Sequence, residues 1–456
     1  MLEQKMISML YTKFVANVLF PLHELLKKHD TVRVKKQLEQ SQWQSPQIIN
    51  ENANKRLTKF LEKAAKEVPY YQDVFNKLSI EASAIRSKAD LSVLPFLDKA
   101  VIREHFDQLK SKSAGPTQPF TTGGSSGTPL TFLLSKERVS HDVAEKWRAT
   151  RWWGVDIGDK EIVAWGSPIE LGAQDKVRVT RDKLFRSTLI PAFDMDESKL
   201  LGFIDQIKRI KPKMLFGYPS VYALIAKTAQ KHGISLDNLG IKVVFVTSER
   251  LYPYQQEQIE QVFNAPVANG YGGRDAGFIA HACPHGKMHI SAEDIIVEIV
   301  DSQGNVLPDG ESGEIVVTHM ATSDFPFIRY RTGDVGAIDT APCACGRGLH
   351  ILKNIEGRTT DFVVAYDGTM MHGLALIYII REMKGIDAFK IVQESLIHTR
   401  VEIVSTDALT ETMRSVIVNG FKQRLGEAVE VELQVVDSIA AEKSGKFRYV
   451  VSKVEY

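Results

Sequence analysis

The first 110 residues carry apolar side chains at the three- and four-residue spacing that is typical of helices. One predicted helix covers Asn54–Val68, and Pro69 ends it because proline disfavours helical backbone in the residue before it. A shorter pattern over Lys35–Gln42 predicts another helix, and Asp98 is expected to cap a third. The long helix presents one apolar face, formed by Leu57, Phe60, Leu61, Ala64, Ala65 and Val68.

From residue 130 onward, short apolar runs alternate with helical patterns. The runs predict strands at Leu130–Leu134, Glu161–Trp165, Met214–Gly217, Val243–Val246 and Val267–Tyr271. The longer patterns predict helices at Glu137–Trp153, Ser198–Ile210, Val221–His232 and Pro253–Phe263. Strands separated by helices favour βαβ units and a mainly parallel sheet. Ligands bind such sheets beyond the carboxyl ends of the strands, where the polar clusters 247–249 and 269–275 fall.

The pattern changes at Asp294, where closely spaced apolar runs up to about residue 356 predict antiparallel strands. After Gly357 the order strand, strand, helix, strand predicts a small α+β domain. We therefore expect an α/β fold with two domains. The large N-terminal domain, residues 1–357, has a helical lead-in over 1–110, mainly parallel helix-flanked sheets and a small β-barrel-like part at about 290–356. The small, mobile C-terminal domain covers 358–456.

Composition narrows the class of protein. The 456 residues include 44% hydrophobic and 25% charged side chains, as in ordinary globular proteins, and exceed the roughly 250–300 residues of a single core. The net charge of +1 gives no sign of a nucleic-acid partner. Three cysteines argue against a disulfide scaffold and favour a reducing, cytoplasmic location.

The segment Met6–Leu26 is fairly apolar, but Lys13 and Asn17 interrupt the apolar run and Pro21 ends it. It therefore lacks the uninterrupted run of about 20 residues that a spanning helix needs. Three alternatives stay open: an amphipathic helix packed on the body of the protein, a peripheral helix on a membrane surface, or a contact in a homodimer.

A loop rich in glycine and hydroxyl side chains occupies residues 121–130. Glycines allow close backbone approach, so that consecutive N–H groups can hold an anion, and hydroxyl groups add donors for phosphate oxygens. It is not a Walker A loop, because no Gly-Lys-Ser/Thr follows the glycines. A solvated linker is the alternative. The residues that would bind phosphate are Thr122, Gly123, Gly124, Ser125, Ser126 and Gly127.

Taken in order, five motifs resemble the core motifs of the adenylate-forming enzyme superfamily. They are Thr122–Pro129, Tyr271-Gly272-Gly273-Arg274-Asp275, Tyr330-Arg331-Thr332-Gly333-Asp334, Gly357-Arg358-Thr359-Thr360-Asp361 and Ser444-Gly445-Lys446. The chain is most similar to the phenylacetate–coenzyme A ligase-like family and, within it, to the capsular polysaccharide biosynthesis branch. Ser41-Gln42-Trp43 and Val68-Pro69-Tyr70-Tyr71 resemble the opening of that branch, so the resemblance covers nearly the whole chain.

The resemblance implies that a carboxylate attacks the α-phosphate of ATP, giving an acyl-adenylate and pyrophosphate. Lys446 on the small domain and Asp275, which would help to hold Mg²⁺, are then the catalytic residues. The loop would bind the β- and γ-phosphates, Asp334 the ribose hydroxyls, and Arg358 the ribose or α-phosphate. Tyr271 and Gly272 would face the adenine. The remaining assigned residues lie at strand ends: Ser248 and Glu249 in the cofactor site, and Tyr218, Pro219 and Gly272 in the acid pocket.

Two positions depart from the family pattern. Asp275 stands where glutamate is usual, which shortens the carboxylate by one methylene, and no lysine accompanies Pro129 in the phosphate loop. Both leave the rate of catalysis open. Asp361 lies where family members rotate the small domain, so we expect a hinge there.

All three cysteines lie near these motifs. Cys283, Cys343 and Cys345, with one histidine, make a Cys₃His set suited to a structural Zn²⁺. The family resemblance favours His289 as the fourth ligand, with His281 and His285 as competitors. Three free thiols in a reducing compartment are the alternative.

The sequence therefore predicts an AMP-forming acid–thiol ligase that uses ATP and Mg²⁺. The acceptor stays open between coenzyme A, a carrier thiol and a sugar amine. The alternative function is a nucleotide-binding scaffold with little catalysis in a polysaccharide assembly complex. A dinucleotide oxidoreductase is disfavoured, because no Gly-x-Gly-x-x-Gly lies between an early strand and a helix.

Overall fold

The computed structural model describes most of the chain, in segments covering residues 2–121, 130–165, 176–192, 195, 197–249, 251–301, 303–356, 362–381, 383–405, 408–439 and 449–454. The predicted phosphate-loop residues from Thr122 to Gly127, the hinge at Asp361, and the side chains Arg358 and Lys446 lie outside the described residues. No helix among the described segments is long and apolar enough to cross a bilayer.

Two helix boundaries in the lead-in lie where the sequence predicts them, at Pro69 and Asp98, whereas the helix predicted at Asn54–Val68 begins earlier, at Pro46. Ser45 accepts a hydrogen bond from the N–H of Ile48 at the start of one helix, and Pro69 opens the next directly after Val68. The Asp98 carboxylate accepts from the N–H groups of Ala100 and Val101, so its predicted capping role is seen in the structure. The helices are Leu2–Phe14 (α1), Phe20–Lys27 (α2), Thr31–Ser41 (α3), Pro46–Glu67 (α4), Pro69–Leu78 (α5) and Lys99–Glu104 (α6), with a π-helical segment at Val15–Leu19 joining α1 to α2.

The strands that flank the glycine-rich loop form a separate hairpin. Thr117–Thr121 (β1) pairs antiparallel with Thr131–Ser135 (β2), and these two strands make a two-stranded sheet. The predicted strand at 130–134 is therefore present, but it does not join the parallel sheet. Ser135 then caps the long helix Lys136–Arg151 (α7) by accepting from the N–H of Arg138.

One large sheet organises the molecule up to residue 356. Its order is β10-β11-β12-β13-β9-β8-β7-β6-β5-β3-β4, parallel from β4 to β7 and antiparallel from β7 to β10. The antiparallel strands extend the parallel ones. The strands are Glu161–Trp165 (β3), Ser187–Pro191 (β4), Met214–Gly217 (β5), Val243–Thr247 (β6), Val267–Gly273 (β7), Gly277–Ala282 (β8), Met288–Ile290 (β9), Ile295–Val300 (β10), Gly313–His319 (β11), Phe327–Asp339 (β12) and Ile351–Glu356 (β13). The accompanying helices are Lys176–Phe185 (α8), Glu197–Ile210 (α9), Pro219–Lys231 (α10) and Pro253–Phe263 (α11).

The C-terminal part has a hydrophobic core of its own, drawn from residues between Val363 and Val450. Its four-stranded sheet has the order β18-β17-β16-β19. The predicted strand, strand, helix, strand order is present, and a hairpin, one helix and one strand that periodicity missed accompany it. The elements are Phe362–Val364 (β14), Met370–His372 (β15), Leu374–Arg381 (α12), Ile386–Ser395 (β16), His398–Ser405 (β17), Glu411–Leu425 (α13), Glu430–Val435 (β18) and Val450–Ser452 (β19).

Candidate active site

The two most specific motifs meet where β7 turns into β8. The Tyr271 hydroxyl donates to Asp334 Oδ2 at 3.0 Å. In the opposite sense, the Tyr330 hydroxyl donates to Asp275 Oδ2 at 2.7 Å. Each motif thus supplies one tyrosine and one aspartate, and each tyrosine orients the other motif's carboxylate. Two carboxylates, each oriented by a tyrosine of the other motif, can serve two tasks, one toward hydroxyl groups and one toward a cation.

The backbone around these residues leaves no space for a side chain at Gly272. A Cβ there would lie 2.1 Å from the carbonyl oxygen of Gly277 on the neighbouring strand. The register shifts between Tyr271 and Gly272, so the ladder is irregular just where the motif begins. Such irregularities re-aim side chains at functional edges.

A buried guanidinium fixes the loop that carries Asp275. Arg138 on α7 donates to the carbonyl oxygens of Arg274 at 3.2 Å and Asp275 at 3.4 Å, and its side chain is almost fully buried. Asp142, one turn further along α7, holds the same guanidinium at 2.9 Å. Burial works against the Asp142 anion, but Arg138 and His319 more than offset it, so the pKa of Asp142 is lowered.

The residues predicted for the acid pocket lie at the adjacent strand ends. Tyr218 stacks on Trp165 with ring centroids 4.8 Å apart. The Glu249 carboxylate accepts from the N–H of Ser220 at 3.4 Å, near the N-terminus of α10. Ser248 is exposed and has φ of 73°, a left-handed conformation that is uncommon outside glycine and concentrates at functional sites.

The structure thus brings Tyr271, Gly272, Asp275 and Asp334 into one cluster. A second group, which follows β5 and β6, consists of Tyr218, Pro219, Ser248 and Glu249. The sequence reasoning missed Arg138, Tyr330 and Trp165 as supporting side chains. Trp165 had a signal, because it ends a predicted strand, and Tyr330 lies within a recognised motif. Arg138 had none, because a charged residue on a helix usually faces solvent.

The four predicted metal ligands converge. Their ligand atoms lie within 4.8 Å of one another, with Cys283 Sγ 3.6 Å from Cys343 Sγ and Cys345 Sγ 3.2 Å from His289 Nε2. A tetrahedral zinc ion requires about 3.8 Å between sulfurs and about 3.5 Å between sulfur and nitrogen, from its usual bond lengths. The donor set and spacing therefore fit zinc.

The competing histidines lie elsewhere. His285 is exposed, and the buried His281 packs against the rings of Phe245 and Phe278. Burial lowers the pKa of His289 to about 4, so its ring is neutral at physiological pH, as a metal ligand must be. Its Nδ1 lies 3.3 Å from the carbonyl oxygen of Leu349, a partner that leaves Nε2 directed at the thiols.

The cysteine cluster connects the sheet to the helical lead-in. Arg347, two residues after Cys345, lies over the rings of Trp43 and Trp152 and donates to the side chain of Gln42 at 3.1 Å. Gln42 also accepts from Trp152 Nε1 at 2.7 Å. The cluster therefore lies beside a junction of the sheet with the lead-in, and its four donors would leave a tetrahedral ion no open position.

Family models match two parts of the chain. A model described as AMP-binding enzyme matches residues 19–323, and one described as CapK C-terminal domain matches residues 363–453.

Individual relatives agree with these matches. Protein CapK of Staphylococcus aureus is 24% identical over 410 residues, covering 88% of this chain and 89% of that protein. The phenylacetate-coenzyme A ligase of Thermus thermophilus is 22% identical over 316 residues, covering 68% and 70%. Among solved structures, 2-hydroxyisobutyryl-CoA ligase with 2-HIB-AMP and CoA in the thioesterification state superposes with a TM-score of 0.63 at 20% identity, over 88% of this chain and 89% of that one. This structural likeness establishes a common fold.

Proposed function

Because the chain belongs to the AMP-binding enzyme family, whose model covers more than half of it, we propose that it activates a carboxylic acid with ATP and passes the acyl group to a thiol. The family match confirms the expected adenylate-forming class, and the two-part α/β fold agrees with it. The phenylacetate-coenzyme A ligases among the relatives support an AMP-forming acid–CoA ligase as the class of enzyme.

The reciprocal tyrosine–aspartate hydrogen bonds are the observation that carries this proposal. They join residues about 60 positions apart in sequence beside the turn between β7 and β8. Each tyrosine hydroxyl fixes the direction of one carboxylate, as a site that accepts ribose hydroxyls and holds a cation requires.

In the proposed first step, a carboxylate oxygen of the substrate attacks the α-phosphorus of ATP. The bond from that phosphorus to the bridging oxygen breaks, and pyrophosphate leaves with the electron pair. Asp334 accepts hydrogen bonds from the ribose hydroxyls, Tyr271 offers its ring to the adenine, and Asp275 would hold Mg²⁺, which balances phosphate charge. Tyr218 and Pro219, beside Trp165, would line the acid pocket.

In the second step, a thiol sulfur attacks the acyl carbonyl and forms a thioester, while AMP leaves and the thiol proton passes to solvent. We propose coenzyme A as the acceptor, with a carrier thiol or the amine of a sugar as alternatives in polysaccharide biosynthesis. The phosphate loop, Arg358 and Lys446 keep their proposed roles, with Lys446 carried on a small domain from residue 358 that rotates about Asp361.

The cysteine cluster supports a structural zinc ion in the same enzyme. Cys283, His289, Cys343 and Cys345 would hold it, and its role would be to fix the junction between the sheet and the lead-in helices. This role needs no contact with substrate, because all four positions of a tetrahedral ion are filled by protein ligands.

The first experiment is ATP–pyrophosphate exchange with Mg²⁺ and a panel of aryl, hydroxy, amino and short aliphatic acids. One acid class should stimulate exchange. Tyr330→Phe should lower exchange by about ten- to a hundredfold, since a lost hydrogen bond to a charged group is worth about 1.5–3 kcal/mol, and should raise the Mg²⁺ concentration that is required.

Tyr254→Phe is the matched control, because it removes a hydroxyl group from an exposed tyrosine on α11 and should leave exchange unchanged. Exchange that is equally fast in Tyr330→Phe would contradict the role given to Asp275. No exchange with any acid, in protein that binds ATP, would favour the nucleotide-binding scaffold.

A further inference from the structure

The outward face of the N-terminal helix is apolar. From α1 through the π-helical segment to α2, large apolar side chains recur every three or four residues along the exposed side. Leu25 and Leu26 are 72% and 76% exposed. We call this surface the N-terminal apolar face, and it consists of Met6, Ile7, Met9, Leu10, Phe14, Val18, Leu22, Leu25 and Leu26.

The inward face of the same helix carries polar groups with specific partners. The Thr12 hydroxyl donates to Asp159 Oδ1 at 3.0 Å, and the Tyr11 hydroxyl donates to the carbonyl oxygen of Leu184 at 3.0 Å. Glu24 is buried and accepts from the Thr31 hydroxyl. These contacts fix the rotation of the helix, and Val15 and Phe20 are buried on the same inward side. The outward face is therefore apolar where a helix facing water is polar.

Within the segment that carries the N-terminal apolar face, the exposed charges are all positive. Between Met6 and Lys28 the sequence contains three lysines and one carboxylate. Lys13, Lys27 and Lys28 are exposed, whereas the carboxylate of Glu24 points inward. The neighbouring helix α8 adds the exposed apolar side chains Val179 and Leu184 and the exposed Lys183.

We propose that the N-terminal apolar face docks the protein on an anionic lipid surface. A helix with exposed apolar residues on one face and lysines at its borders lies in the plane of the interface, its apolar side in the acyl boundary and its cations near lipid phosphates. The face runs over about 20 residues, or roughly 30 Å of helix. Apolar residues that are scattered singly over a protein surface do not form a continuous strip of this length.

The same charges argue against a second copy of the chain as the occupant. A two-fold contact places the same patch of both subunits together. Lys13, Lys27 and Lys28 of both copies would then lie in one shared interface, without an exposed carboxylate on the face to receive them. Like charges brought together disfavour such a contact, whereas anionic lipid satisfies both the cations and the apolar side chains.

Co-sedimentation of the full-length protein with vesicles tests this proposal. We expect binding to mixed phosphatidylcholine–phosphatidylglycerol vesicles that falls with added salt, and much weaker binding to pure phosphatidylcholine. Leu25→Ser with Leu26→Ser should weaken binding by roughly tenfold or more, since two leucines lose their burial in lipid. Lys13→Gln with Lys27→Gln should weaken binding to the anionic vesicles by about thirtyfold, from roughly 1 kcal/mol per lysine.

Leu396→Ser with Ile397→Ser is the matched control, because these exposed apolar residues lie in the turn between β16 and β17. That variant should bind as the unaltered protein does. Absence of binding to anionic vesicles, or equal binding by the Leu25→Ser, Leu26→Ser variant, would overturn the proposal. A dimer in sedimentation equilibrium that this variant dissociates, without vesicle binding, would assign the face to a second copy. Pyrophosphate exchange without vesicles should be the same in all of these variants.

Discussion

Two arginine side chains on α7 place their positive charges in the interior of the molecule. Arg138 and Arg148 are both almost fully buried, the first holding the loop of Asp275 and the second bonded to Glu145 at 2.6 Å and to Glu293 at 2.7 Å. Buried guanidinium groups of this kind act through geometry, because removing one partner leaves the other charge uncompensated. Arg138 positions the turn between β7 and β8, whereas Arg148 holds Glu293, just before β10.

His281 gives a prediction about pH at the residue scale. It is buried, and neither ring nitrogen has a hydrogen-bond partner among the described residues. Burial, with a smaller contribution from Arg148, lowers its pKa from 6.5 to about 3. Between these values the unfolded chain binds a proton that the folded chain does not bind. Stability contributed by the neutral ring is therefore complete above pH 6.5 and is lost as pH falls toward 3.

In the His281→Phe variant, the free energy of unfolding should depend less on pH. Its slope between pH 6 and 4 should be smaller by about 1.4 kcal/mol per pH unit than in the unaltered protein. Denaturant titrations at several pH values measure this difference. Phe278→Leu alters packing in the same place without removing a titratable group, so it should keep the slope of the unaltered protein. Equal slopes in all three proteins would show that His281 does not titrate as its burial requires.

At the scale of elements, close backbone approach between β7 and β8 decides the shape of the site. A methyl group at Gly272 would meet the Gly277 carbonyl oxygen, whereas one at Gly202, inside α9, would meet no atom within 4 Å. The sequence shows a glycine at both positions and does not distinguish them. The pairing of β7 with β8 shows that glycine is required at position 272.

Gly272→Ala should therefore lower the free energy of unfolding by several kcal/mol and abolish pyrophosphate exchange, because the backbone must move or the strands must separate. Gly202→Ala, the control, should raise it by up to about 1 kcal/mol, since alanine favours helix over glycine. Thermal unfolding and exchange assays compare the two. A Gly272→Ala variant as stable and active as the unaltered protein would mean that the backbone at Gly272 accommodates a methyl group without loss of stability.

At the scale of the whole molecule, the cysteine cluster connects segments that are distant in sequence. It brings turns near residues 283 and 343 together, and Arg347 extends the contact to Trp43 in the lead-in. An ion held there would oppose separation of the helices from the sheet, because metal affinity for the folded state adds to folding free energy.

Protein purified without chelator should contain one zinc ion per chain, measured by elemental analysis. Cys343→Ser should lose it, and both this variant and chelator-treated protein should unfold at a lower temperature, with a loss of several kcal/mol. His285→Ala changes an exposed histidine in the same turn and should keep the metal. Absence of zinc in the unaltered protein, or its retention in Cys343→Ser, would exclude the site.

Local chemistry explains how much could be predicted from sequence. The capping role of Asp98, the helix end before Pro69 and the strands β3, β5 and β6 follow from side-chain preferences and spacing, which act over a few residues. The strand before α7 was also predicted, but its antiparallel pairing with β1 was not, because pairing depends on a partner on the other side of the loop. The small elements β14, β15, α12 and β19 lacked enough periodicity to be found.

Residue types and their spacing identify the groups that carry chemistry: two motifs with their tyrosines and aspartates, three cysteines and His289, and an apolar N-terminal segment. How these groups contact one another depends on the folded structure. It directs each tyrosine to the other motif's aspartate, sets His289 rather than His281 beside the thiols, and turns the apolar side of α1 and α2 outward while Glu24 is buried. The reason is the distance along the chain over which each effect acts. Residue type and spacing act along the chain, whereas hydrogen-bond partners, burial and exposed faces arise only when distant segments pack.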